Sequence, residues 1–513
     1  MVRSVNVSLE GAGLTPSQVQ QVARYRARVT LSQDARKRLQ RARAVVDGLV
    51  DRGEVVYGLN TGVGALRTTK IAPSEVRRLQ RNLVRSHAVG VGPLLEEELV
   101  RAGMLVRVNQ FCQGSSGVRP EVAERLIDLL NHDVCPCVPE KGSLGASGDL
   151  APSAHVGLVL MGEGQVLHAG SPIDGAEALR AERIEPLQLE AKDALSILNG
   201  THFMTGAAAL LLEDARRLAL TADVVVALSL EALRGTRTAF DPRIHAARPH
   251  PGQVASAARI WAMTEGSEII ASHAECDRVQ DAYSLRCAAQ VHGASADALD
   301  YLSRVLAVEL NAGTDNPMVF PDQGAVISGG NFHGQPLALA LDTAAIAIAE
   351  MGSISERRLF RLLTEHLSDL PPFLTRHSGV NSGYMLLQYT AAALVTENQM
   401  LAAPASVHSL PTSADQEDHN SMGWHAALKA RQVLRNVETI LALEALAAAQ
   451  GIDLLAPMKP AESTGIAQQI IRALVPTLEE DRAFEAEIRA ATGLVRDGAL
   501  AQLAEQASSP APR

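Results

Sequence analysis

Residues 433–450 read VLRNVETILALEALAAAQ, and this stretch decides the fold class of the chain. When it is wound as a helix, apolar side chains surround it almost completely, and Gly451 follows it. A helix that is apolar on all sides is usually buried inside a bundle of other helices. The stretch therefore predicts a protein built around packed helices.

Two further segments have the same character. Thr205–Leu233 and Asp342–Leu367 are rich in alanine and leucine, and the stop signals Gly235 and Pro371-Pro372 follow them. Strand-like patterns are few and short, for example Val166–His168 in a glycine-rich segment. We predict an all-α fold with long packed helices in residues 201–513, preceded by a smaller, loop-rich domain in residues 1–200.

Composition limits the classes of function. The 513 residues are 47% hydrophobic and 20% charged, and 57 acids against 47 bases give a net charge of −10. No basic block is present, which argues against nucleic acid or an anionic membrane as a partner. The first residues lack the apolar core of a secretory signal, and charges such as Asp342 interrupt the apolar stretches before they reach membrane-spanning length.

The five cysteines form an odd, unpatterned set. Cys135 and Cys137 lie too close together for a usual zinc knuckle, so we expect free thiols and no metal site. A reduced, cytoplasmic protein is the expectation.

The loop Gly142–Leu150, GSLGASGDL, carries the main chemical signal. Its glycines allow a tight backbone turn, in which the amide nitrogen of Gly148 can approach the carbonyl carbon of Ala146. Attack with loss of water closes a five-membered ring, and elimination of the Ser147 hydroxyl leaves an exocyclic methylidene. The chain would thereby build its own electrophile. Alone, such a loop is more often an ordinary turn.

A second string, Tyr57–Gly64, reads YGLNTGVG and specifies an irregular loop that a tyrosine opens. A phosphate-binding loop is excluded because no Lys-Ser/Thr pair follows the glycines. By itself, Tyr57 would usually be a packed loop anchor.

Taken together, these strings resemble the aromatic amino acid ammonia-lyase family, whose members carry 4-methylidene-imidazol-5-one (MIO). The resemblance spans roughly residues 14–481. Further matching strings follow in the family's order: Arg85–Gly92, Leu198–Thr201, Gln280–Cys287, Thr314–Pro317, Gly329–Gly334, Asn381–Met385 and Ser413–Met422.

The resemblance implies a fold of the fumarase/aspartase-like superfamily, with a long central antiparallel helix bundle. It also implies a homotetramer with shared active sites and an MIO group formed from Ala146-Ser147-Gly148 without an external cofactor. Tyr57, Ser147 and Tyr283 are the implied catalytic residues, with the choice of the basic tyrosine left open. The implied substrate-binding residues are His87, Asn199, Gln280, Arg286, Phe332, Met385 and Glu417.

Chemistry supports these roles. A general base alone contributes about 10²–10⁴-fold, so elimination of ammonia needs an electrophile that makes nitrogen a better leaving group. Arg286 has the planar fork that pairs with carboxylates. Asn199 and Gln280 offer neutral donors, Phe332 an apolar face, and Met385 a soft contact for a ring.

His87 and Glu417 bear on the substrate. Ser86-His87 resembles the segment of family members that act on histidine, and Glu417 stands where relatives acting on phenylalanine or tyrosine usually carry a neutral residue. A carboxylate suits an imidazole because it accepts a ring N–H and favours the charged form. We therefore expect elimination of ammonia from L-histidine to give trans-urocanate.

Three alternatives remain. The first is a phenylalanine or tyrosine ammonia-lyase, or an aminomutase. The second is a fumarase/aspartase-type lyase, but Gly114–Pro120 matches only the start of its characteristic loop. The third is an inactive helical scaffold, in which residues 146–148 stay unprocessed. Val63, His408, Asp415 and Gln113 depart from the family's usual pattern, which bears on substrate preference and rate.

Overall fold

The structure, a computed structural model, describes residues 6–276 and 279–508. Residues 1–5, which carry most of the N-terminal segment considered above, lie outside the described residues. Long helices dominate the described chain and strands are short, so the all-α prediction is confirmed.

Among the described residues, the longest α-helices lie after residue 200, where they alternate with shorter ones. In the first 200 residues the helices are α1 Pro16–Ala23, α2 Gln33–Asp51, α3 Val76–His87, α4 Glu97–Phe111, α5 Pro120–Asn131, α6 Leu150–Leu160, α7 Gly175–Ala181 and α8 Asp193–Leu198. After residue 200 they are α9 His202–Ala232, α10 Pro242–Ala246, α11 Pro251–Met263, α12 Glu268–Ala271, α13 Tyr283–Arg286, α14 Ala288–Glu309, α15 Gln335–Leu363, α16 Glu365–Ser368, α17 Met385–Leu401, α18 Gly423–Leu454, α19 Glu462–Leu474, α20 Glu485–Asp497 and α21 Ala501–Ser508.

The strands of the described residues are two to four residues long. They are β1 Asn6–Leu9, β2 Arg28–Leu31, β3 Val91–Leu94, β4 Cys135–Pro136, β5 Pro139–Lys141, β6 Gln165–His168, β7 Ser171–Asp174, β8 Met318–Phe320 and β9 Ala325–Ile327. β1 and β2 pair in parallel, with Asn6 opposite Arg28. The pairs β3–β5 and β8–β9 and the three-stranded sheet β4–β6–β7 are antiparallel. The strand predicted at Val166–His168 is part of β6.

The described chain divides into two compact units. The first comprises residues 1–213, 302–342 and 404–428, and the second comprises residues 214–301, 343–403 and 429–513. The first unit thus takes in two segments from the second half of the sequence. The division into domains 1–200 and 201–513 stays a prediction.

Helix α18 contains the apolar stretch at residues 433–450, and its apolar residues from Val433 to Ala449 are buried. The helix does not end at Gly451 but runs on to Leu454. A Cβ at Gly451 would lie 2.9 Å from the Cβ of Ala232 and 3.1 Å from a methyl group of Leu370. The glycine is therefore required for close helix packing inside the second unit, and it is not a stop signal.

Helix α15 begins seven residues before the predicted segment and ends at Leu363, where Thr364 separates it from the short α16. By length and hydropathy alone it is the one described helix that meets the criteria for a membrane span, so the expectation that Asp342 would interrupt it was wrong. The same criteria also select core helices, and 61% of its most apolar window is buried within the protein. Asp342 lies inside the continuous helix, where its carboxylate accepts hydrogen bonds from the backbone of Ala405 and Ser406.

All five cysteines lie in the described residues and are free thiols, as the sequence predicts. Burial raises the pKa of Cys112 and of Cys135 to about 12.

Candidate active site

The loop before helix α6 is a tight turn with three residues in the left-handed region. Gly145, Ser147 and Gly148 have φ values of +76°, +52° and +90°. The amide of Gly148 donates to the carbonyl oxygen of Gly145 at 3.3 Å, and the two residues form an isolated bridge around Ala146 and Ser147. A non-glycine residue in this region is uncommon and marks a conformation that its surroundings impose. The loop thus folds back on itself at the three residues singled out from the sequence.

One side of the loop is held by Gly200. Its amide donates to the carbonyl oxygen of Ser147 at 3.0 Å, and its own carbonyl accepts from the amide of Asp149 at 2.8 Å. A Cβ at Gly148 would lie 2.1 Å from the Gly200 oxygen, so only glycine fits there. These contacts fix the backbone of the loop on both sides of Gly148.

The other side is held by the segment before helix α18. The amide of Met422 donates to the carbonyl oxygen of Leu144 at 2.9 Å, and the hydroxyl of Ser147 donates to Oε1 of Glu417 at 3.2 Å. Residues 144–147 therefore contact the segment 417–422 at both ends.

Glu417 has further partners of its own. Its Oε2 accepts from the Thr412 hydroxyl at 2.9 Å, and the backbones of the two residues form an isolated bridge.

His87 ends helix α3, and its Nδ1 lies 2.8 Å from the Leu83 carbonyl oxygen, which makes Nδ1 the donor. Burial lowers the pKa of His87, while this carbonyl and the charge of Glu417 act in the opposite direction.

Tyr57 lies in an irregular loop of the first unit. Its phenol oxygen accepts the amide hydrogen of Gly64 at 3.1 Å, and the hydroxyl of Ser413 accepts from Ala65 at 3.2 Å. The side chain therefore ties the two ends of the string Tyr57–Gly64 together, and its oxygen faces a donor.

Asn199 follows helix α8 and uses its side-chain nitrogen to donate to the backbone oxygen of Asn316 at 2.8 Å. The side-chain oxygen of Asn316 accepts in turn from the amide of Gly329, which begins the string that contains the half-buried Phe332. The strings at 198–201, 314–317 and 329–334 thus meet in the first unit.

The remaining residues implied by the resemblance lie in the second unit. Gln280 and Tyr283 are exposed, and the guanidinium carbon of Arg286 lies 4.6 Å from the centre of the Tyr283 ring. Met385 begins helix α17 and is half-buried. The backbone before it, at Ser382 and Gly383, donates to the carboxylate of Asp481.

A buried polar cluster beneath the loop was not predicted from the sequence. Oδ2 of Asp149 accepts from the amides of Phe203 and Met204 at 2.8 and 3.0 Å, and so caps helix α9. Burial raises the pKa of Asp149 to about 7 against these donors and the charge of Arg107. Burial also lowers the pKa of the neighbouring His202 well below its usual value. The sequence did offer one signal for this cluster, because Asp149 is an acid that directly precedes an apolar helix.

A second buried pair supports the same region. Nζ of Lys192 lies 2.9 Å from Oδ2 of Asp315, and both side chains are almost fully buried. Lys192 also donates to Ser196, while Arg107 donates to the Ser196 backbone. A lysine before an apolar helix is an ambiguous signal in a sequence, so this role was missed.

Within residues 6–276 and 279–508, no group of three or more metal-ligating side chains is arranged to hold a metal ion.

Comparisons with known proteins identify relatives of the chain. Residues 14–473 match the family described as aromatic amino acid lyase. The chain is 48% identical over 500 residues to the histidine ammonia-lyase of Caldanaerobacter subterraneus subsp. tengcongensis, and the match covers 98% of each chain. It is 50% identical over 501 residues to the histidine ammonia-lyase of Anaeromyxobacter sp. strain K, covering 96% of this chain and 99% of the relative.

Solved structures show the same relationship. The histidine ammonia-lyase of Trypanosoma cruzi superposes with a TM-score of 0.91 at 42% identity, covering 99% of this chain and 96% of that chain. The tyrosine aminomutase of Streptomyces globisporus superposes with a TM-score of 0.93 at 38% identity, covering 99% and 100%. The fold is accordingly the all-α fold of the fumarase/aspartase-like superfamily. The chain belongs to the aromatic amino acid lyase family.

Proposed function

We propose that this protein is a histidine ammonia-lyase, a carbon–nitrogen lyase that eliminates ammonia from L-histidine to give trans-urocanate, the first step of histidine degradation. The observation that carries the proposal is 48–50% identity to histidine ammonia-lyases over nearly the whole length of both chains. The acid at Glu417, whose charge acts on His87, supports an imidazole substrate.

Residues 146–148 fit the self-formed MIO group. The turn brings Gly145 and Gly148 together, and Gly200 leaves no room for a Cβ at Gly148. Once formed, the group supplies an electrophile that makes the substrate's amine nitrogen a better leaving group. No external cofactor is required.

Glu417, His87 and Tyr57 supply groups for the ring and for the proton. Glu417 accepts the imidazole N–H, and Nε2 of His87 is an acceptor because Nδ1 is committed to Leu83. Tyr57 is the candidate base, and its phenol oxygen accepts the amide hydrogen of Gly64 at 3.1 Å. Asn199 orients the substrate, and Phe332 packs against it.

Arg286 and Gln280 supply groups for the amino acid end of the substrate. Arg286 binds the carboxylate through its planar fork, and Gln280 adds a neutral donor. Tyr283 relays a proton or stabilises the loop, and Met385 contacts the ring face. We further propose a cytoplasmic homotetramer whose active sites combine residues from more than one chain.

Incubation of the purified protein with L-histidine, L-tyrosine and L-phenylalanine tests the proposal. We expect urocanate absorbance with histidine alone and loss of this activity in Ser147→Ala. Coumarate or cinnamate would instead indicate a tyrosine or phenylalanine ammonia-lyase, and a β-amino acid would indicate an aminomutase. An intact mass equal to the full sequence, without activity, would indicate an inactive scaffold.

A further inference from the structure

We propose that Glu417 is the proton donor for the step in which Ser147 loses its hydroxyl, so that one carboxylate first matures the active site and then binds the substrate. This inference rests on the proposed function, because it concerns the maturation of residues 146–148. It assigns to Glu417 a role in addition to substrate recognition.

The Ser147 hydroxyl has a carboxylate as its partner. The hydrogen-bond partner that the structure gives this group is Oε1 of Glu417, at 3.2 Å and 270 residues away in the sequence. Hydroxide is a poor leaving group, so elimination of a serine hydroxyl requires a proton donor at its oxygen. A carboxyl group within hydrogen-bond distance is the type of side chain that does this work.

The Glu417 carboxylate is held in place by residues of its own segment. Its other oxygen, Oε2, accepts from Thr412 at 2.9 Å, and the side chain of Asn420 donates to the Thr412 hydroxyl at 3.2 Å. The hydrogen bond between Met422 and Leu144 fixes the register between this segment and the loop. Glu417 is therefore positioned by its own segment and does not depend on Ser147 for its orientation.

The chemistry balances with groups that are present. The amide nitrogen of Gly148 bonds to the carbonyl carbon of Ala146, and the Ala146 oxygen leaves as the first water with the amide hydrogens of Gly148 and Ser147, so that a double bond forms between the Ala146 carbon and the Ser147 nitrogen. The Cα–H bond of Ser147 then breaks, its proton passes to solvent, and its electrons form the Cα–Cβ double bond. As the Cβ–Oγ bond breaks, Glu417 passes a proton taken up from solvent to Oγ, which leaves as the second water. Glu417 is thereby left as a carboxylate.

This order of events also explains why the two roles are compatible. Before maturation, Oε1 of Glu417 is occupied by the Ser147 hydroxyl. After the second water has left, Oε1 has lost that donor and is available to an imidazole N–H. The carboxylate thus becomes a substrate acceptor only in a chain that has completed the reaction.

The experiment follows maturation directly by intact mass. Full-length chains are synthesised in a cell-free system, synthesis is stopped, and the loss of water is measured over time for wild type, Glu417→Gln, Thr412→Val and His87→Gln. Wild type should lose two waters. Glu417→Gln keeps the size of the side chain but cannot deliver a proton, so its loss of the second water should be on the order of 10²-fold slower.

The two other variants are controls. His87→Gln removes a neighbouring group of the proposed substrate site, so it should mature at the wild-type rate even though its turnover falls. Thr412→Val leaves the carboxylate but removes the donor to Oε2, so it should slow the second loss several-fold. If Glu417→Gln does not fold by circular dichroism, Thr412→Val decides the question.

Loss of both waters at the wild-type rate in a folded Glu417→Gln chain would overturn the inference, as would an unchanged rate in Thr412→Val when the first variant cannot be used. Failure of the proposed function has a different signature, namely a wild-type chain that keeps its full mass or produces no urocanate. The two failures are therefore distinguishable.

Discussion

The amide of Gly200 donates a hydrogen bond of 3.0 Å to the carbonyl oxygen of Ser147. This is the carbonyl that remains in the ring after condensation, because the Ala146 oxygen leaves as water. A donor aimed at this oxygen withdraws electron density from the neighbouring carbons and stabilises negative charge on the oxygen. The contact therefore links the Asn199-Gly200 turn to both the shape and the reactivity of the loop.

Gly200→Ala should separate the Asn199-Gly200 turn from the loop at residues 146–148. Gly200 has a φ of +109°, and a Cβ there would lie 2.2 Å from the Thr314 backbone oxygen, so the turn has to move. We expect a chain that keeps its full mass and produces no urocanate. Gly170→Ala is the matched control, since Gly170 has a φ of +82° but open space around it, and it should cost only about 1 kcal/mol of backbone strain. Normal maturation and turnover in Gly200→Ala would contradict this account.

Tyr57→Phe should lower turnover without affecting maturation. The variant removes the phenol oxygen that accepts from Gly64 and that we propose as the base, so kcat should fall by about 10²–10⁴-fold. Intact mass should still show the loss of two waters. Tyr283→Phe, at an exposed position, is the comparison. A larger loss of kcat in Tyr283→Phe than in Tyr57→Phe would transfer the role of base to Tyr283.

The buried groups Asp149 and His202 should give opposite pH dependences of stability. The folded-state pKa of Asp149 is raised to about 7, so the folded chain binds a proton that the unfolded chain lacks, and Asp149 favours folding as the pH falls through 7. The folded-state pKa of His202 is lowered well below 6.5, so the unfolded chain takes up a proton first and stability is lost as the pH falls through 6.5.

The two effects oppose each other in the wild type, and single variants should reveal them. Between pH 7 and 5.5, His202→Gln should gain stability relative to wild type and Asp149→Asn should lose it, each by about 1 kcal/mol. Urea unfolding at both pH values measures the difference, with His168→Gln, an exposed histidine, as the control. Shifts of the same sign in both variants would show that the pair does not titrate as described.

The sequence was sufficient for the fold class because composition and helical periodicity are local properties. The apolar stretch at 433–450 and the alanine-rich stretch at 205–233 both lie in long buried helices. Gly451 shows where local signals fail. A glycine that permits helices to approach closely has the same appearance in a sequence as one that ends a helix, and the Ala232 side chain that requires it is more than 200 residues away.

The sequence predicts the kind of chemistry at the candidate site but not the contacts between its residues. The condensing residues are adjacent in the chain, but their chemistry was predicted only together with the other strings that resemble the family, because such a loop alone is more often an ordinary turn. The hydrogen bond between Ser147 and Glu417 joins residues 270 positions apart, and no spacing rule indicates it. Burial decides the importance of Asp149 and Lys192, and burial of a single charged residue is set by the packing around it. The sequence assigned Glu417 to the substrate, whereas the structure also joins it to the loop.

Arg358 and Glu444 form a buried ion pair in the second unit, and breaking it should be among the most destabilising changes in the chain. Both side chains are fully buried; Nη2 of Arg358 donates to Oε2 at 2.8 Å, and the hydroxyl of Ser229 donates to Oε1 at 2.6 Å. Arg358→Met leaves a buried carboxylate without its counter-charge, which typically costs about 3–5 kcal/mol.

Adding Glu444→Leu to Arg358→Met should recover a large part of this loss, since a pair of apolar side chains carries no uncompensated charge. Urea unfolding of the single and double variants gives the coupling energy between the two residues. Arg489→Met, which removes an ion pair with Glu485 on the exposed face of helix α20, is the control and should leave the unfolding midpoint unchanged. If the two single losses simply add in the double variant, the stabilisation comes from the packing of the two side chains and not from their charges.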